Sequence, residues 1–295
     1  MGIISTTALT KDYGKGKGIF DVSIDVAQGE VFGFLGPNGA GKTTTIRNLM
    51  GFIKPEKGSC TILGMDCFKE AAKIQREVGY LAGEIAFLDD MSGKQLIQFV
   101  AELKGVTDRT RIQELMDRFE LDPRGKVKKM SKGMKQKISI IAAFMNDPKV
   151  ILLDEPTSGL DPLMQNRFIE LVLEEKKKGK TILLSSHIFE EVERTCDRTA
   201  IIRDGKIAAI EDMESLAKKK KKIYEVTFVN ENDIAKIKKT DLKIVGEHGK
   251  TLEIERPADL NQFLTQLIQY PLREMNIHTQ TLEEIFLHFY GKGDK

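Results

Sequence analysis

Two stretches of this chain hold residues spaced for phosphate chemistry. GPNGAGKT, Gly36 to Thr43, has a glycine, four residues, then Gly-Lys-Thr, the spacing of a P-loop. Gly36, Gly39 and Gly41 let successive backbone N–H groups turn inward with no Cβ in the way. Asn38 lies within the loop, and Thr44 follows it in the helical run TTTIRNLMG. The N-terminus of that helix adds partial positive charge. Lys42 reaches the outer phosphates as a point charge, and the Thr43 hydroxyl is suited to coordinate Mg²⁺. The second stretch is VILLDEP, Val150 to Pro156. Its apolar run predicts a buried strand, and Asp154 and Glu155 stand at the carboxyl end, where ligands bind in such sheets. Asp154 suits a Mg²⁺ holder, and Glu155 suits a base that orients and deprotonates an attacking water. Taken alone, the acidic pair reads better as a turn cap; beside a P-loop the metal-and-base reading prevails.

Three further places could join this chemistry. His187 ends another apolar run, TILLSSH; if that run is a strand of the same sheet, the imidazole faces the outermost phosphate. Tyr13, in KDYG, offers a ring for stacking on a base. MSKGMKQK, Met130 to Lys137, runs into the apolar ISIIAAFM, and its serine and glycine predict a second helix N-terminus prepared for an anion.

The elements that position these residues follow from periodicity. Strand-like runs are Ile3–Leu9, Ile19–Val26, Val31–Leu35, Thr61–Leu63, Val78–Leu81, Val150–Asp154, Thr181–Ser185 and Ala200–Arg203. Helical patterns lie between them at Gly41–Met50, Cys67–Arg76 and Leu163–Lys178. Apolar strands alternating with helices predict an α/β fold with a mainly parallel sheet. Ser92 to Met145 breaks the alternation and reads as two or three helices inserted in that core. The composition changes at AKKKKK, Ala217 to Lys222, read as a solvated linker face. Beyond it we expect strand Ile223–Val229, helix Glu231–Lys238, strands Leu242–Val245 and Thr251–Ile254, helix Ala258–Ile268 and strand Arg273–Ile277. Their order is that of a split βαβ, ferredoxin-like unit. A last helix, Leu282–Tyr290, carries Leu282, Ile285, Phe286 and Phe289 on one stripe.

The bulk properties exclude some classes. The 295 residues are 41% hydrophobic and 31% charged with a net charge of +2, so a core is affordable and no basic field points to nucleic acid. Cys60, Cys67 and Cys196 lack metal-ligand spacing and read as reduced packing residues. No apolar run reaches the roughly 18 residues of a membrane helix, and the N-terminus lacks a signal-peptide pattern. Work at a membrane would need a partner.

With these residues in hand, the sequence closely resembles the ATP-binding-cassette (ABC) ATPases over residues 3 to about 215. The motifs appear in the family's order: Tyr13 as the A-loop aromatic, GPNGAGKTT as Walker A, MSKGMKQK as a variant signature, VILLDEPTSGLD joining Walker B and D-loop, and His187 in the switch position. The resemblance implies a P-loop ATPase core with an antiparallel β subdomain and an α-helical subdomain at about 90–146. It implies a cassette over residues 1–216, leaving 217–295 as a small α+β accessory domain. It further implies ATP and Mg²⁺ as cofactors, with Tyr13, Gly36, Asn38, Gly39, Gly41, Lys42, Thr43 and Thr44 around the nucleotide and Glu155, His187 and Lys42 in catalysis. Ser131 and Gly133 match the family's LSGGQ, whereas Lys132 and Met134 depart from it. In this family that helix end meets ATP held by a second copy. Two ATP molecules would then be sandwiched in a homodimer, with Asp161 at the interface. Another departure is GYLAGEIAF, Gly79 to Phe87, where Gly83 takes the Q-loop glutamine's place. The expectation is that Glu84 assumes its phosphate or metal role beside Thr43 and Asp154.

The GYLxGE run and the ending TLEEIFLHFYG are similar to the drug- and peptide-efflux branch of bacterial ABC exporters. That implies an ATPase paired with a separate membrane-spanning permease, held at the cytoplasmic face of the membrane, driving efflux of an amphipathic peptide, antibiotic or lipid. Two alternatives stand beside it. A soluble ABC ATPase on ribosomes or DNA typically has two cassettes or a long coiled-coil insertion. An importer ATPase usually keeps the Q-loop glutamine.

Overall fold

The computed structural model describes residues 2–83, 90–255 and 259–285, apart from the Lys219 side chain. The expected roles of Glu84, Phe286 and Phe289 therefore lie outside the described residues. The chain divides into two compact units, Met1–Met213 and Glu214–Lys295. The division falls just ahead of the lysine run. That run is not one linker: its start ends a helix and its last lysine opens a strand.

The first unit begins with strands β1 (Ile4–Asp12), β2 (Gly18–Val26) and β3 (Val31–Leu35), then helix α1 (Lys42–Leu49). There follow β4 (Lys57–Ile62), β5 (Met65–Asp66), α2 (Ala71–Glu77) and β6 (Val78–Leu81). Helix α2 starts later than the apolar pattern suggests. The Asp66 carboxylate accepts the N–H groups of Phe68 and Lys69 at 3.1 and 2.8 Å, and this turn occupies the residues before the helix. Helices α3 (Gly93–Leu103), α4 (Thr110–Arg118) and α5 (Lys132–Phe144) form the insertion. Ser92 and Gln95 close a reciprocal capping box on α3. The core resumes with β7 (Val150–Asp154), α6 (Pro162–Lys177), β8 (Thr181–Ser186), α7 (Phe189–Thr195), β9 (Arg198–Arg203) and β10 (Lys206–Asp212).

A six-stranded sheet has the order β10-β9-β3-β8-β7-β6. Its pairs are parallel except β10 with β9. Every residue of β3, β7 and β8 is buried, which is why their sequences run apolar without alternation. Strand β10 escaped the sequence reading because its burial alternates but its residues, Lys-Ile-Ala-Ala-Ile-Glu-Asp, do not alternate in polarity. A second sheet, β2-β1-β4-β5, is antiparallel. Ile4, Leu9, Ile19, Val22, Ile62, Phe32, Phe34 and Ile46 share one buried cluster, so this sheet, the central sheet and α1 pack around a common core.

The second unit opens within α8 (Met213–Lys219), followed by β11 (Lys222–Phe228), α9 (Glu231–Ile237), β12 (Ile244–His248), β13 (Thr251–Glu255), α10 (Leu260–Leu267) and β14 (Leu272–Thr279). The sheet order is β12-β13-β11-β14, all antiparallel. Tyr224, Val226, Phe228, Leu252 and Ile254 bury one face against Ile234, Ile237, Phe263 and Leu267 of the helices. Strand β12 lies toward the turn relative to the expected Leu242–Val245. Gly249, at φ +60°, makes a tight turn that extends pairing to His248↔Thr251. Helix α10 starts after Asp259, whose carboxylate accepts the N–H groups of Asn261 and Gln262.

Candidate nucleotide site

The loop between β3 and α1 forms one wall of a cavity of about 470 Å³. Tyr13, Asn38, Gly39, Gly41, Lys42, Thr43, Thr44 and Glu155 line it, joined by Lys17, Gly18 and Gly83. Gly41 is the N-cap of α1 at φ +112° and supplies no side-chain cap. The first-turn N–H groups of α1 therefore have no internal acceptor, and no acidic residue occupies that turn. A Cβ at Gly36 would lie 2.4 Å from the Ile202 carbonyl oxygen, so only glycine lets the loop cross β9 there. Tyr13 is 55% exposed, a ring left open at the rim, with the Lys11 ammonium 5.7 Å from its centroid.

Two of the cavity's charged groups, Lys42 and Glu155, pair with each other. The Lys42 ammonium donates to the Gly36 carbonyl at 2.6 Å and to Pro37 at 3.2 Å, and it meets Glu155 Oε1 at 3.0 Å. The other Glu155 oxygen, Oε2, bonds His187 Nδ1. Lys42, Glu155 and His187 thus form one continuous chain, brought together from the start of α1 and the ends of β7 and β8. Asp154 is fully buried; Oδ1 accepts the Ser185 hydroxyl at 2.5 Å, and Oδ2 has no partner. A buried anionic oxygen without a donor is costly, and a hard divalent cation is the group that fits it. The residues present therefore fit Mg²⁺ as well as a phosphate chain. Gly83 faces the same oxygen, since a Cβ there would stand 2.9 Å from Oδ2. A side chain at this position would have to displace the Asp154 carboxylate.

Burial and the Asp154 charge push the Tyr80 phenol up to about 12. Burial pushes Glu191 up to about 7, with the Ser186 and Thr157 hydroxyls acting in the opposite direction. The three cysteines are free and buried, and burial raises the Cys196 thiol to about 12.

Three expected site residues are not brought to this cavity. Ser131 caps α5, its hydroxyl accepting the Met134 N–H at 3.2 Å. Gly133 packs against the Gly159 carbonyl. Asp161 caps α6 through the Met164 N–H at 3.0 Å. Ser185, Ser186 and Gln136 bond the site's residues, Glu191 accepts the Ser186 hydroxyl, and all four went unnoticed in the sequence. Only the two serines carried a local signal, preceding His187 in SSH.

The α/β core with a P-loop, a strand-end acidic pair and a helical insertion defines a P-loop ATPase of the cassette type. The family model for "ABC transporter" matches residues 19–158. The chain is 37% identical over 233 residues to the bacitracin transport ATP-binding protein BcrA of Bacillus licheniformis, covering 78% of this chain and 76% of that one. It is 31% identical to the linearmycin resistance ATP-binding protein LnrL of Bacillus subtilis, over 96% of this chain and 97% of that one. A solved structure titled as the ATP binding subunit of an ABC transporter superposes with a TM-score of 0.68 at 30% identity, covering 74% of this chain and 92% of that one. The chain belongs to the ABC transporter ATP-binding family and is an ATP-hydrolysing subunit. No helix among the described residues is long and apolar enough to cross a membrane.

Proposed function

We propose that this chain is the ATPase of a bacterial ABC exporter, working as a homodimer beneath a separate membrane-spanning permease at the cytoplasmic face. The observation that carries the ATPase part is the Lys42–Glu155–His187 chain at the mouth of the P-loop. The similarity to BcrA and LnrL supports efflux of an antibiotic-like, amphipathic cargo. Residues 217–295 act as an accessory domain in this reading, and LnrL supports it by matching nearly the full chain.

In this reading ATP lies in the P-loop cavity with its adenine on Tyr13. The N–H groups of Gly39, Gly41 and α1 hold the phosphates, with Asn38 and Thr44 at the loop's flanks. Lys42 exchanges Glu155 for the outer phosphates. Glu155, released from the lysine, accepts a proton from the attacking water, and His187 orients that carboxylate and meets the γ-phosphate. Thr43 and Asp154 would hold Mg²⁺, which would supply charge neutralisation to the phosphates. Glu84 is proposed to assist there. Ser131 and Gly133 approach ATP bound to the second copy, and Asp161 lies at that interface.

The test is affinity purification of the tagged full chain from gently solubilised native membranes, with mass spectrometry of what accompanies it. A stoichiometric multi-span membrane protein is expected. Recovery of ribosomes or nucleic acid instead would overturn the exporter reading and leave the ATPase standing.

A further inference from the structure

Glu155 has φ +51°, a left-handed conformation that a non-glycine residue holds only where its surroundings over-determine it. Three bonds come from near neighbours in the core: the Glu155 N–H donates to the Ser185 carbonyl at 3.1 Å and to its hydroxyl at 3.3 Å, and the Ser158 N–H donates to the Glu155 carbonyl at 3.2 Å. The other two come from the helical insertion. Gln136 on α5 is 1% exposed, and its amide nitrogen donates to the carbonyls of Glu155 at 3.2 Å and Pro156 at 2.6 Å. A primary amide carries two N–H donors, so one side chain spans both carbonyls of the strained turn. The contact continues along α5. Lys132 donates to the Ser158 hydroxyl at 2.7 Å, and a Cβ on Gly133 would stand 2.6 Å from the Gly159 carbonyl oxygen. The segment following Glu155 is therefore fastened to the start of α5.

We propose that Gln136 is a positioning residue for Glu155, locking the turn that aims the carboxylate at Lys42 and His187. Because Gln136 shares α5 with Ser131 and Gly133, the alignment of the base is tied to the helix end that carries the signature. A chain engaged by a second copy at that end has its own base held in place by the same helix. The inference rests on the reading of Glu155 as the base.

The residue's chemistry suits positioning more than folding. The bonds from Ser185 and Ser158 do not depend on Gln136, so without it the strained turn can relax locally while β7 and α5 stay packed. Two variants of the full chain test this. Gln136→Met keeps volume and removes both donors; Gln136→Asn keeps the amide but withdraws it by one methylene. The measurements are ATP affinity by nucleotide titration, steady-state kcat and KM, and the thermal midpoint, with Glu155→Gln as reference. Both variants are expected to lower kcat about tenfold or more, with ATP Kd and KM within about twofold of wild type, as for an interaction expressed in the transition state. Wild-type kcat in Gln136→Met beside an inactive Glu155→Gln overturns the tether alone. A parallel loss of ATP affinity, kcat and thermal midpoint overturns it in favour of a purely structural role. Normal turnover in Glu155→Gln removes the base reading and the tether with it.

Discussion

Glu155→Gln separates two effects that the proposed mechanism assigns to one side chain. The carboxylate meets the Lys42 ammonium at 3.0 Å with both groups largely shielded from solvent. Unit charges 3.0 Å apart at an effective dielectric of about 20 attract by ~5.5 kcal/mol. Desolvation of the two ions offsets most of that. In the proposed mechanism Lys42 surrenders what remains when it turns to the phosphates. The neutral amide competes less and does not repel the phosphate chain. If about 1.4 kcal/mol of the pair survives desolvation, ATP binds about tenfold tighter to the variant. Turnover moves the other way. A positioned base contributes roughly 10²- to 10⁴-fold, or ~2.7 to 5.5 kcal/mol of barrier, and the amide cannot accept the proton. The variant should therefore bind ATP more tightly while hydrolysing it at least about a hundredfold more slowly. The assay pairs equilibrium titration with an ATP analogue against steady-state phosphate release in the same buffer. Near-normal turnover refutes the base reading. Weaker ATP binding refutes the argument that Glu155 competes for Lys42.

The chemistry was legible in the sequence where spacing alone fixes geometry. GPNGAGKT must turn between β3 and α1, and VILLDE must deliver two carboxylates to a strand end. The parallel sheet was legible because β3, β7 and β8 are buried on both faces and their sequences say so. What stayed hidden depends on contacts remote in sequence. Gln136 looks like any polar residue at the start of a helix until Glu155 and Pro156 fold onto it. Ser185 becomes significant only when β7 and β8 pair in register, bringing it opposite Asp154. Boundaries shifted where a side chain captured backbone N–H groups first, as Asp66 does before α2 and Asp259 before α10. Ser131, Gly133 and Asp161 were placed with the nucleotide by resemblance. Within one chain they cap or pack local elements instead, and their proposed part in ATP binding requires a second copy.

Three other perturbations test separate parts of the structure. Gly133→Asp puts a side chain onto the Gly159 carbonyl, 2.6 Å from the Cβ position; it should abolish ATP-driven dimerisation in size-exclusion chromatography while leaving monomer ATP affinity unchanged, and equal loss of both would remove the trans role. Glu175→Ala breaks the buried pair with Arg111 at 2.6 Å that joins α4 to α6, and also frees Lys178. It should cost about 3 kcal/mol in urea unfolding, and a loss under about 1 kcal/mol would show that packing alone holds those helices. Glu191 predicts a pH dependence with a definite sign. Its carboxyl is pushed up to about 7, chiefly by burial, from the ordinary 4.5, so over that interval the folded chain binds a proton that the unfolded chain has released. Stability from this group is complete below about pH 4.5 and is lost as pH rises through about 7, amounting to roughly 3 kcal/mol at 1.36 kcal/mol per unit. Thermal midpoints of wild type and Glu191→Gln across pH 5 to 8 measure it. The amide cannot ionise, so the variant should gain on the wild type as pH rises, and parallel curves would mean that Glu191 keeps an ordinary pKa despite its burial.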